Sequence, residues 1–204
     1  MIVLQIGDIH CDKKNLKRLA SLKERLRHDL LAVHGDVECG EDLLNLVEEI
    51  GGEILFVPGN MDDEYVARLY SEKGYNIDGE IREIKDYIFI GLGGLDLDLS
   101  LRKINEKILR IDFSKTIVLS HYPPYNTKTD IAWNRRHIGS QRLRDFVERF
   151  QPKIFLHGHV HESPGIDFLG RTLVVNPGPL KNGRLAIIYP DENKADLLRL
   201  EDIK

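Results

Sequence analysis

The sequence predicts an α/β fold with a parallel first sheet, and three observations carry that expectation. Short apolar runs alternate with amphipathic stretches through the first third of the chain. The amphipathic stretches repeat their apolar residues every three or four positions, which is helical spacing. Gly, Pro and Asp punctuate the junctions, as strand–helix–strand units require.

Ile2 to Ile6 reads as the first strand. Asn15 to Arg27 places Leu16, Leu19, Leu22 and Leu26 on one helical face. Leu30 to Val33 is the second strand. Leu43, Leu44, Leu46, Val47 and Ile50 mark a second helix, stopped by Gly51-Gly52. Ile54 to Val57 is a third strand, and Tyr65, Val66, Leu69 and Tyr70 a third helix. Ile81 to Ile84 and Tyr87 to Leu92, split by Lys85-Asp86, predict a tight hairpin. Leu101 to Ile111 predicts a helix and Thr116 to Leu119 a strand running into His121. A polar loop spans Tyr122 to Gly139. Ser140 suits the cap of a helix running to Phe150, with a strand at Ile154 to Leu156. Gly165 to Leu169, Thr172 to Val175, Arg184 to Tyr189 and Ala195 to Leu200 read as a meander, which makes the second sheet richer in antiparallel pairs. No repeat or linker interrupts residues 1–204, which read as one domain.

The bulk numbers exclude several functions. The chain has 204 residues, 29 Lys plus Arg against 33 Asp plus Glu, and a formal charge of −4. Such a balance disfavours general nucleic-acid or membrane-surface binding. No apolar run approaches the ~18 residues of a membrane span, and the N-terminal stretch lacks the basic start and cleavage site of a signal peptide. A cytoplasmic location follows as the expectation, with Cys11 and Cys39 as reduced thiols.

The informative pattern is positional. The first strand runs into Asp8 and His10, the second into Gly35-Asp36, and the third into Gly59-Asn60-Met61-Asp62. Two later strands run into His121 and into His157-Gly158-His159-Val160-His161. The carboxyl ends of strands in an open α/β sheet line one crevice, where ligands bind. Each fragment alone has a plain alternative, since Gly-Asp and Gly-Asn are common turn residues. Gly-His-x-His is more specific. Together, Asp8, His10, Asp36, Asn60, His121, His159 and His161 exceed what one metal needs. They suit two divalent ions of the Mn, Fe, Zn or Ni type, about 3.5–4 Å apart. Two such ions would create a local anion site despite the acidic bulk charge, and would activate a bridging water to hydroxide.

Asp8-Ile9-His10, Gly35-Asp36, Gly59-Asn60-Met61-Asp62, His121 and Gly158-His159-Val160-His161 resemble, in order, the motifs of the calcineurin-like metallophosphoesterase superfamily. His121-Tyr122-Pro123-Pro124, His159-Val160-His161-Glu162 and Val175-Asn176-Pro177-Gly178 are similar to small prokaryotic phosphoesterases related to cyclic-nucleotide phosphodiesterases. The resemblance implies a four-layer α-β-β-α sandwich with two mixed sheets. It implies one metal on Asp8, His10 and His161, a second on Asn60, His121 and His159, and Asp36 as the bridge. The implied activity is hydrolysis of a small phosphate ester, a nucleotide among the candidates, most readily a phosphodiester. Phosphomonoester or phosphoprotein hydrolysis and a non-catalytic scaffold are the rival readings. Asp36, Asn60 and His121 are the residues expected at the reacting phosphate. Asn60, His121, Met61, Arg135 and His137 are the candidate substrate contacts.

One position departs from the family pattern. Met61 stands where the motif supplies a histidine thought to protonate the leaving group. A thioether donates no proton. Asp62 is then expected to lose its usual partner, and His34, His137 or water becomes the stand-in acid. His34 itself reads as a packed strand residue, Arg135 and Arg136 as a solvated basic loop, and Trp133 and Tyr125 as core residues, with stacking on a base as the alternative.

Overall fold

A computed structural model describes residues 1–108 and 111–203. Among the described residues eleven strands form two sheets. The first holds β1 (Val3–Ile6), β2 (Leu30–Val33), β3 (Glu53–Phe56), β10 (Arg184–Tyr189) and β11 (Lys194–Arg199) in the order β11-β10-β1-β2-β3. The second holds β4 (Ile81–Ile84), β5 (Tyr87–Leu92), β6 (Thr116–Ser120), β7 (Ile154–Leu156), β8 (Gly165–Leu169) and β9 (Thr172–Asn176) in the order β4-β5-β6-β7-β9-β8. Helices α1 (Lys13–Ser21), α2 (Glu41–Ile50) and α3 (Glu64–Glu72) follow the first three strands, and α4 (Leu97–Asn105) and α5 (Gln141–Phe150) flank β6.

The strand sequences dictate the layering. Side chains alternate between the two faces of a strand, and most of these strands are apolar on both faces. Leu4 and Ile6 of β1 and Leu31 and Val33 of β2 pack with Leu16, Leu43, Val47, Val66 and Leu69 from α1–α3. Val3, Leu30, Ala32 and Leu55 face Phe89, Ile117, Leu119, Ile154, Leu156 and Val175 of the second sheet. Ile90, Val118, Phe155 and Val174 meet Ile104, Leu143, Phe146 and Val147 of α4 and α5. Three apolar seams separate four layers, helix–sheet–sheet–helix. That is the sandwich which the motif resemblance implies.

The purely parallel first sheet is corrected. β1, β2 and β3 are parallel, but β10 pairs antiparallel with β1 and β11 with β10. The C-terminal strands are not one meander. β8 and β9 form a hairpin whose β9 lies parallel to β7, and the Pro177-Gly178-Pro179 passage then carries the chain to the first sheet. Local pattern reports a strand and its buried faces, not which distant strand it joins.

Two helix boundaries also move. α1 ends at Ser21, where the Ser21 hydroxyl donates to the Arg18 carbonyl and the chain tightens to an i→i+3 bond from Leu22 N–H to Leu19 O (2.9 Å). Leu26 still reaches the core. α4 begins at Leu97, capped by Asp96, and ends at Asn105. Of the expected 101–111 helix, residues 109 and 110 lie outside the described residues. The Ser140 cap is present and accepts from Leu143 N–H at 3.4 Å.

Candidate metal centre

Parallel pairing of β1–β3, and of β5, β6, β7 and β9, turns their carboxyl ends toward one edge of the sandwich. The loops leaving β1, β2, β3, β6 and β7 bring all seven expected ligand residues together there. Asp8, His10 and His161 offer donor atoms within 4.8 Å of one another, as do Asp8, Asp36 and His121. The Asp36 carboxylate lies between the halves, Oδ2 being 3.9 Å from His10 Nε2 and Oδ1 3.7 Å from His121 Nε2. The Asn60 amide oxygen is 2.8 Å from His121 Nε2. His159 joins through its ring, centred 5.0 Å from that of His121, while its N–H donates to Asp8 Oδ2 at 3.0 Å.

The loops adopt conformations ordinary turns avoid. Asp8, His10, Asp36 and His159 all have positive φ, 47°, 48°, 50° and 70°. Left-handed non-glycine residues cost on the order of 1 kcal/mol each and persist where surroundings over-determine them. Here Ile9 and His10 N–H both donate to Asp36 O, locking the first loop on the second. Close approach explains two motif glycines. A Cβ on Gly59 would lie 2.0 Å from Asp36 Oδ1, and one on Gly158 would lie 2.1 Å from the His34 ring.

The residues that orient the ligands were largely missed in the sequence. Glu38 accepts from His10 Nδ1 and so turns Nε2 toward the cluster. His121 Nδ1–H donates to the His34 carbonyl at 2.8 Å, which aims its Nε2 the same way. His34 is fully buried, with Nε2 3.3 Å from Asp8 Oδ2 and Nδ1 3.5 Å from Gln5 Nε2. It is packed, as expected, and also holds the Asp8 carboxylate. Asp62 does not lack a partner. Its carboxylate accepts from Val37, Glu38 and Gly59 N–H at 2.7–2.8 Å and ties the second motif loop to the third. Asn176 reinforces the last loop, its Nδ2 donating to Val160 O (2.8 Å) and Ser163 O (3.0 Å). The Glu38 and Asp62 signals were present as acidic residues within two positions of proposed ligands, but sequence spacing does not say what a carboxylate faces.

The electrostatics fit a divalent cation. Burial, followed by the charge of Asp8, raises the Asp36 carboxyl above its usual range. Asp8 is held well below it. Burial works against that, but the side-chain hydrogen bonds from His161 and His34 prevail. Burial lowers His121 and brings His159 down to about 4, keeping both rings neutral, the form that binds metal. With Nδ1–H engaged elsewhere, the His121 Nε2 lone pair then faces the Asn60 oxygen, acceptor to acceptor. His10 Nε2 is 3.3 Å from His161 Nε2. Spacings of about 3 Å are those of neighbouring ligands around one ion bonded at about 2.1 Å, and a cation there would take up the facing lone pairs of His121 and Asn60.

Not every expected residue reaches the cluster. Met61 is 58 % exposed at its rim and touches it through the backbone, its N–H donating to Asp36 Oδ1 at 2.9 Å. His137 is held by Asp130, Nδ1 to Oδ1 at 2.6 Å, and Arg135 is exposed; among the described residues no hydrogen bond or ion pair links either to the seven. Trp133 and Tyr125 are not core residues, being 87 % and 39 % exposed. Cys11 and Cys39 are not free thiols but a disulfide between the first two motif loops, with Cα atoms 5.3 Å apart. Compartment chemistry predicted reduction, whereas Cys11 N–H bonding to Val37 O sets the two side by side.

The family model for calcineurin-like phosphoesterases matches residues 1–163, which include every expected ligand. The chain belongs to the calcineurin-like phosphoesterase family. It is therefore a phosphoesterase of a metal-dependent hydrolase family. An uncharacterized protein of Methanocaldococcus jannaschii is 32 % identical over 169 residues, covering 74 % of this chain and 78 % of that relative. Among solved structures, a Thermus thermophilus protein superposes with a TM-score of 0.76 at 17 % identity, covering 98 % of each chain. A structure described as a novel archaeal phosphodiesterase superposes at 0.66 and 15 % identity, covering 98 % of this chain and 99 % of that one. Both share the fold. Among the described residues no helix is long and apolar enough to cross a membrane.

Glu38→Gln gives a direct check on the ligand assignment. It is expected to weaken metal retention about 10- to 100-fold, the usual cost of losing a histidine's carboxylate partner. Competition with a fluorescent chelator measures it, and unchanged retention would remove His10 from the ligand set.

Proposed function

We propose that this protein is a binuclear phosphodiesterase acting on small phosphate esters. The observation that carries the reading is the convergence of two aspartates, one asparagine and four histidines from five strand ends on one edge of the sandwich. Asp8, His10 and His161 would hold one divalent ion, and Asn60, His121 and His159 the other, with Asp36 between them. Ions drawn from manganese, iron, zinc and nickel would supply Lewis acidity toward the phosphoryl oxygen and lower the pKa of an attacking water. The protein's own groups fix the geometry: Glu38 and the His34 carbonyl orient two imidazoles, and Asp62 locks the loops.

Met61 bears on which leaving groups such an enzyme would accept. Its side chain stands at the rim where a proton donor would be useful, and it has no proton to give. His34 is buried, and among the described residues no hydrogen bond or ion pair brings His137 to the candidate ligands, so neither imidazole takes the place of the missing donor. Substrates whose leaving group departs as a weakly basic anion are then favoured. The phosphodiesterase described among the structural neighbours agrees with this choice.

Hydrolysis of bis(4-nitrophenyl) phosphate and 4-nitrophenyl phosphate with added manganese tests it. The diester is expected to react at least about 10-fold faster in kcat/KM, and rates across aryl diesters to fall steeply as leaving-group basicity rises. Faster monoester turnover would make the protein a phosphomonoesterase. No turnover with manganese, nickel or zinc by a folded protein binding less than one equivalent of metal would leave a scaffold.

A further inference from the structure

The segment after His121 is a built projection. The buried Asp130 carboxylate accepts from Asn126 N–H (2.9 Å), Thr127 N–H (2.9 Å), Gly139 N–H (3.1 Å) and His137 Nδ1 (2.6 Å). Ala132 N–H donates to Arg136 O (2.9 Å), and Ile131 bridges His137, so residues 131–138 close into a tight hairpin. Its foot rests on the last motif loop. Trp133 N–H reaches Glu162 Oε1 at 3.3 Å, one residue beyond the candidate ligand His161, and Ser163 Oγ donates to Ile131 O.

Its tip has no structural use. Trp133 is 87 % exposed, the most exposed large hydrophobic residue described, although backbone bonds from Ala132, Arg135 and Ile138 N–H close the hairpin beneath it. Arg135 and Arg136 are exposed beside it, and among the described residues neither guanidinium has an ion-pair partner. An aromatic face and two unpaired cations stand on a rigid arm between two loops that carry candidate ligands. A base stacks on such a face regardless of its identity, and a guanidinium binds phosphate in a fork.

We propose that the hairpin 131–138 is a nucleotide subsite. Trp133 stacks on the nucleobase of the substrate, and Arg135 or Arg136 binds a phosphate that is not cleaved. This inference rests on the phosphodiesterase reading for its purpose, but not for its test. Trp133 is the only tryptophan in the chain, so its emission reports the subsite alone. Titrating metal-free protein with AMP is expected to quench it saturably, whereas ribose 5-phosphate leaves it unchanged. Trp133→Ala is expected to weaken AMP binding at least about 10-fold by calorimetry, with Trp133→Phe recovering most of the loss.

Equal quenching by ribose 5-phosphate, or none by AMP, overturns the subsite. So does a blue shift of the emission as the protein alone is concentrated, which would assign the arm to contact with a second copy. Quenching by AMP in a protein that cleaves no diester keeps the subsite and overturns the phosphodiesterase reading. Diester cleavage without AMP quenching does the reverse.

Discussion

Asp36→Asn is expected to lower turnover of an activated phosphodiester by about 10³-fold or more. The carboxylate lies within 4 Å of a ring nitrogen from each half of the cluster, His10 Nε2 at 3.9 Å and His121 Nε2 at 3.7 Å. On the proposed binuclear reading an amide would offer one oxygen where two are needed. Losing a bridge between two cations removes several kcal/mol of charge stabilisation, and each 1.36 kcal/mol is about tenfold in rate. The substitution is nearly isosteric, and the amide oxygen can still accept the Met61 N–H bond. Burial and the adjacent Asp8 charge both disfavour the carboxylate in the metal-free protein, so a neutral amide there relieves repulsion. The metal-free variant should accordingly melt no lower than the metal-free parent. Rate loss with unimpaired melting isolates the chemistry from the fold. Turnover within tenfold of the parent would mean that Asp36 does not lie between two metals.

How much of this was readable beforehand follows from what each interaction needs. The strands were visible because burial on both faces leaves unbroken runs such as Leu30–Val33 and Thr116–Leu119. The seven candidate ligands were visible because parallel strands place them at fixed ends, so position along the chain translated directly into position in space. Partnership was not visible. β10 joins β1 across more than 180 residues, and nothing in either strand states the pairing. Glu38 and Asp62 lay next to the motifs, but their roles depend on left-handed loops that bring His10 and the backbone N–H groups of residues 37, 38 and 59 to them. Trp133 was misplaced for the opposite reason. Composition makes a lone tryptophan a core residue by default, and only the hairpin closed on Asp130 carries it into solvent.

Opening the Cys11–Cys39 bond is expected to cost about 3–4 kcal/mol of stability. The disulfide closes a loop of 28 residues by sequence separation, and freeing such a loop in the unfolded chain is worth about that much in the chain-entropy account. In a protein of this size each kcal/mol shifts Tm by about 2–4 °C, so a fall of roughly 10 °C is the reading. The bond also lies next to the site. Cys11 follows His10, Cys39 follows Glu38, and His10, Cys11 and Glu38 are all left-handed, with φ of 48°, 61° and 66°. Covalent linkage one residue beyond each member holds the His10–Glu38 contact against relaxation of that backbone. The Cys11→Ser/Cys39→Ser double variant should therefore lose both stability and metal retention, the latter by no more than the Glu38→Gln effect, since the carboxylate is still present. Dithiothreitol should bring the parent to the level of the variant and leave the variant unmoved. Two thiols reacting freely in the native, unreduced protein, with a Tm indifferent to reductant, would show that the pair is not joined in solution. The two loops would then be held by the backbone bonds from Asp8, Ile9, His10 and Cys11 N–H to the Gly35, Asp36 and Val37 carbonyls and by the His10–Glu38 contact.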